Sequence, residues 1–155
     1  MNLISSSNMN TPRKQFSATR LGGSGLVLVV GGLDADDNPL ASAELFDPAS
    51  GVFTTIAGAL GTARYGHVGV ASVGGAIFVI GGQTIAGVYL ASVEIFKSGS
   101  GQPAVTGTFT TAAVGLASAR GNISAELLAS GLILITGGEA GAGAISLAEV
   151  YSPGI

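Results

Sequence analysis

The chain has 155 residues, enough for one domain with a sizeable core. Only 10% of them are charged, against roughly 25% in an ordinary soluble domain, and 26 are glycine. A formal net charge of −3 with no basic stripe excludes the electrostatic footprint of a nucleic-acid binder, and the absence of cysteine excludes disulfides while leaving the redox compartment open.

At the start, Met1–Ser7 has no basic region followed by an apolar one, so no signal peptide is visible in it and the compartment stays unassigned. Asn2-Leu3-Ile4-Ser5 is a strand-like stretch. Thr11-Pro12-Arg13 follows, then a run of small and β-branched residues. The apolar run Leu26–Val30 stops at Gly31-Gly32. Glu44-Leu45-Phe46 and Val52–Ile56, with Phe53, complete the set. The same landmarks return as Thr62-Ala63-Arg64, His67–Val73, Ala76–Ile80 with Gly81-Gly82, Glu94-Ile95-Phe96 and Phe109. They return again as Ser118-Ala119-Arg120, Leu132–Thr136 with Gly137-Gly138, and Glu149-Val150-Tyr151.

From Arg13 to Arg64 is 51 residues and from Arg64 to Arg120 is 56, the difference being a loop-like insertion at Lys97–Pro103. The strand-length runs, β-branched enrichment and Gly/Ser/Asp/Pro punctuation predict four strands per unit, A to D, and an all-β fold. Strand B is apolar at successive positions, which suits a strand covered on both faces. None of the apolar runs approaches the ~18 residues of a membrane helix, so no membrane insertion is expected.

An arginine opening each unit, a Gly-Gly pair closing the second strand, Glu-x-aromatic in the third and an aromatic in the fourth make the sequence resemble the kelch-repeat β-propellers. Phe53 and Phe109 stand where that family usually has Trp. The resemblance implies four-stranded antiparallel blades packed radially. The expected divisions are a strand D in 1–10, blade 1 in 11–57, blade 2 in 58–112, and blade 3 in 113–155 without its strand D. Three blades are fewer than the four to eight of closed propellers. The expectation is therefore a homodimer completing a six-bladed ring, each chain donating residues 1–7 to the other's last blade. The alternative is an excerpt of a longer propeller.

The family resemblance implies an interaction or scaffolding module more often than an enzyme. Gly31, Gly32, Gly81, Gly82, Gly137, Gly138, Arg13, Arg64, Arg120, Glu44, Glu94 and Glu149 are read as structural landmarks, because repeated charges in a charge-poor chain are expected to pair in partial burial. An arginine ring binding an anion such as a sialate carboxylate is the functional alternative. His67, whose equivalents are Phe16 and Ile123, is expected on strand A in or near the central channel, with a base or a binding role as the sharper reading.

Asp34, Asp36 and Asp37 form the one acidic cluster, and Asp34, Asp36 and Asn38 have the Asp-x-Asp-x-Asn spacing that starts a calcium loop, but Pro39 and Leu45 replace the glycine and glutamate such a loop needs, so a solvated turn is expected. Asn122-Ile123-Ser124 matches a glycosylation sequon at an unfavourable place, the start of a strand. One histidine and no cysteine argue against a transition-metal centre, and the copper chemistry known in some propellers would need both residue types. No cofactor and no catalytic residue is assigned. The expected ligand is a protein or, alternatively, a carbohydrate, taken either by a binding propeller or by a sialate-mutarotase-like enzyme at the channel mouth. The loops at one end of the channel, including Asp34–Asn38 and Lys97–Val105, are the expected surface.

Overall fold

A computed structural model describes residues 6–99 and 106–153. Strands β1 (Ser17–Arg20), β2 (Val27–Val30), β3 (Ala43–Asp47) and β4 (Val52–Thr55) form one antiparallel sheet in sequence order. Strands β5 (Val68–Ala71), β6 (Ile77–Ile80), β7 (Val93–Ser98) and β8 (Gly107–Thr111) form a second of the same topology. The third contains β9 (Ser124–Leu127), β10 (Ile133–Thr136) and β13 (Ala148–Tyr151), with a small hairpin, β11 (Glu139–Ala140) and β12 (Gly143–Ala144), above it. Among the described residues there is no α-helix, only a 3-10 turn at Ile85–Gly87. These are kelch-like blades: two of four strands and, among the described residues, one of three.

Every residue of β6 is buried, because its sheet is covered on both faces. Leu28, Val30, Ala43 and Leu45 of the first blade meet Ile77, Val79 and Phe96 of the second. Phe78, Ile80 and Val93, on the other face of the second, meet Ile133 and Ile135 of the third. The uninterrupted apolar run of strand B is thus divided between two interfaces, alternate residues going each way. Phe46–Phe53 and Phe96–Phe109 pair with ring centroids at 4.7 and 5.0 Å, so phenylalanine on the fourth strand packs on the aromatic of the third.

The innermost strands β1, β5 and β9 are the ones that neighbour each other between blades. Strand A is shorter than the sequence implies: after Ala71 the chain turns through Ser72–Gly75, closed by the Gly75 amide on the Ser72 carbonyl. The insertion also begins later than expected. Lys97 and Ser98 extend β7 by pairing with Thr108 and Gly107, since both residues find backbone partners across the ladder. Residues 100–105 of that insertion, and residues 1–5 of the expected N-terminal strand D, lie outside the described residues. Ser7 donates its amide to the Gly51 carbonyl at 2.9 Å, beside the outer edge of the first blade.

Candidate functional site

The repeated charges form one column per blade. Arg13, Arg64 and Arg120 each pair through Nη2 with a glutamate, Glu44 at 2.9 Å, Glu94 at 2.5 Å and Glu149 at 2.7 Å. Each Nη1 donates to the carbonyl of the first glycine of its pair, Gly31, Gly81 or Gly137. It also donates to a carbonyl just before the third strand, on Ser42, Ser92 or Leu147. The glutamates in turn accept backbone amides of the segment entering the blade: Asn10 and Thr11, Gly61 and Thr62, or Ala117. Burial pushes the Glu44 carboxyl up, but the Arg13 guanidinium and those amides more than offset it and hold it below the usual range. All three arginine side chains are wholly out of solvent, so none is available to an incoming anion.

His67 lies between blades 1 and 2 and not on an open channel wall. It is buried, its Nε2 sits 2.9 Å from Ser17 Oγ, and its Nδ1 has no partner. Desolvation, reinforced by the nearby Arg64 charge, pulls its pKa down to about 3. The ring is neutral at pH 7 and enclosed between the two blades.

The acidic turn folds on itself. Asp34 Oδ1 accepts the amides of Asp36 and Asn38 and, with Oδ2, the Asn38 side-chain amide; hydrogen bonds from Asn38 lead in holding this carboxyl below its ordinary value. Asp37 instead pairs with Lys14. The three carboxylates therefore do not converge, and among the described residues no group of three or more His, Cys, Asp or Glu side chains is placed to hold a metal ion.

A polar cluster that the repeats conceal lies at the Gly-Gly end, between blades 2 and 3. The Tyr65 hydroxyl donates to Gln83 Oε1 at 3.1 Å, and Gln83 Nε2 donates to Glu139 Oε1 at 2.9 Å. Asn122 Nδ2 donates to the same oxygen at 2.6 Å. Desolvation and the Glu139 carboxylate raise the Tyr89 phenol above its ordinary value, which sets Tyr89 beside this chain of bonds. Backbone bridges Tyr65–Gln83, Gln83–Tyr89 and Gly121–Glu139 fix the mounts. The cluster presents hydroxyl, amide and carboxylate groups without a nucleophile.

A second feature of the same end is apolar. Asn38, Pro39, Thr62, Ala63, Thr84 and Ile85 line a groove between the B–C loops of blades 1 and 2. Ile85, on its blade 2 side, and Val88, farther along the same loop, are 66% and 59% exposed. The loop that carries them is pinned by the Thr84 amide on the Val88 carbonyl and the Leu90 amide on the Gly82 carbonyl.

A family model described as the Kelch motif matches residues 64–102, from the arginine of the second blade through its Gly-Gly pair and glutamate. No curated protein matches the chain.

Proposed function

We propose that this kelch-repeat chain is a non-catalytic protein-interaction module that takes its partner on the loops of the Gly-Gly end. One observation carries the reading. Ile85 and Val88 are large, exposed and apolar, Ile85 lines a groove, and both stand on a loop fixed to the blade by backbone hydrogen bonds. Apolar side chains held in place outside the core bind without a large ordering cost. Tyr65, Gln83, Asn122 and Glu139 at that end are bonded to one another, and among these groups there is no nucleophile paired with a base.

The test is crosslinking in cell extract with the wild-type chain and with Ile85→Asp/Val88→Asp. Both sites are exposed, so the folding midpoint should stay within about 0.5 kcal/mol of wild type. Partners crosslinked by the wild type should be lost from the variant; an unchanged set would overturn the assignment of this surface. A carbohydrate ligand is the second reading, favoured by the Tyr65–Gln83–Glu139–Asn122 chain, whose planar and hydroxylated groups suit a polyhydroxylated ligand. A glycan array separates the two, because only the second predicts binding there that Gln83→Ala abolishes.

A further inference from the structure

The two internal junctions show what one blade requires of the next. The second glycine of each pair donates its amide to the arginine carbonyl of the following blade, Gly32 to Arg64 at 2.9 Å and Gly82 to Arg120 at 3.0 Å. Two residues after the arginine, the following blade donates back: the Gly66 amide to the Gln15 carbonyl at 3.0 Å, and the Asn122 amide to the Gly66 carbonyl at 2.7 Å. Gln15, Gly66 and Asn122 all hold the left-handed backbone this ladder needs, with φ of 54°, 60° and 50°. The series leaves four groups without a hydrogen-bond partner among the described residues. The third blade presents the Gly138 amide and the Asn122 carbonyl; the first presents the Arg13 carbonyl and the Gln15 amide. Donor answers acceptor at both places.

The open faces are matched in charge as well. Arg20 pairs with Val27 across β1 and β2, which places it on the face of blade 1 turned away from blade 2. Glu126 pairs with Leu134 across β9 and β10, which places it, with the 58%-exposed Val150, on the face of blade 3 turned away from blade 2. Both charged residues are exposed. Their counterparts inside the stack are Ala71 and Val70. At the first junction a Cβ on Gly69 would touch both Ser17 Oγ and Thr19 Oγ1, and Ala71, the next residue of β5 on that face, packs on the core shared by the two blades, so the alternation of the facing strands brings position 71 next after position 19. Glu126 is the counterpart of Thr19 and Arg20 of Ala71. Carried to the open faces, the same packing sets Glu126 beside Arg20 of a second copy.

We propose that the open face of the third blade docks on the open face of the first blade of a second copy, and that two copies close a six-bladed ring with a Glu126–Arg20 pair at each of the two junctions between them. Six blades lie within the usual range for closed propellers. This inference is independent of the ligand taken by the loops.

Sedimentation equilibrium of the 155-residue chain tests it. The expected mass is twice the 15.1 kDa of one chain, with weaker association as salt is raised. Arg20→Glu should weaken the dimer at least about tenfold by setting like charges together, and the exchange Arg20→Glu/Glu126→Arg should restore it to within about threefold. Circular dichroism should show the folded chain in both, since the residues are exposed. A monomer at about 100 μM, an assembly of three or more copies, or a dimer unmoved by Arg20→Glu would each overturn the proposal.

Discussion

His67 costs the fold something that Phe16 and Ile123, at the same place in the other units, do not. Its ring is enclosed with one nitrogen unpaired, and desolvation followed by the Arg64 charge brings its pKa from 6.5 to about 3. A folded pKa below the unfolded one means that the unfolded chain binds the proton first. Stability is therefore complete above pH 6.5 and is lost as pH falls from 6.5 toward 3. Between pH 6.5 and 5 the loss should reach about 2 kcal/mol, in a window above that of Glu44, whose carboxyl is held below its ordinary value. Urea unfolding at the two pH values should show this slope in the wild type and a flat profile in His67→Ile. A variant that keeps the slope would assign it elsewhere.

The arginine–glutamate columns were visible in the sequence because they recur; Tyr65, Gln83, Asn122 and Glu139 were not, for the opposite reason. Their counterparts in the first unit are Lys14, Leu33, Gln15 and again Leu33, so alignment on the repeats discards them as variation. Their adjacency also crosses a blade junction, which only packing reveals. Positions that differ between otherwise matching units were the available signal.

The Gly-Gly element explains itself once both of its neighbours are known. In the first two pairs the first glycine approaches the next blade, and in all three the second approaches its own. A Cβ at Gly81 would lie 2.6 Å from the Arg120 carbonyl oxygen, and one at Gly82 would lie 2.7 Å from the Tyr65 carbonyl oxygen. Gly81 and Gly137 have nearly the same backbone, with φ of 62° and 60°, but nothing nearer than the Ile145 carbonyl oxygen, at 3.8 Å, crowds a Cβ at Gly137. Alanine at either site meets about 1–2 kcal/mol of left-handed strain. Only Gly81→Ala must also displace a backbone carbonyl, which adds about 1–3 kcal/mol. Gly81→Ala should thus unfold at clearly lower urea than Gly137→Ala, at concentrations where the chain is single; equal midpoints would mean that the crowding is relieved without cost. The sequence identified these glycines and their strands through the β-branched runs they terminate. It did not place strand ends, because turns such as Ser72–Gly75 and the pairing of Lys97 with Thr108 depend on partners across the sheet.

At the scale of the molecule, each blade is stabilised by its neighbours, as in other stacked repeats. The second blade has both faces covered, and all four residues of β6 are buried. The third has one face covered, and the residues of β9 and β13 that alternate away from blade 2 lie exposed. Three blades contain two such junctions. Two chains closed into a ring contain six, so association would add one junction per chain to the two it already holds. Stability would then be tied to concentration, because ligation of the folded form by a second copy draws on the unfolded pool. Raising the concentration a hundredfold changes the free energy of a dimer by about 2.7 kcal/mol, shared between two chains. For chains of this length that corresponds to a rise in Tm of about 3–5 °C. Arg20→Glu, which sets like charges across each new junction, should flatten the dependence while leaving the low-concentration Tm in place. A wild-type Tm that is the same at both concentrations would show that the open faces remain against water, and that Leu134 and Val150 are surface residues and not half of an interface.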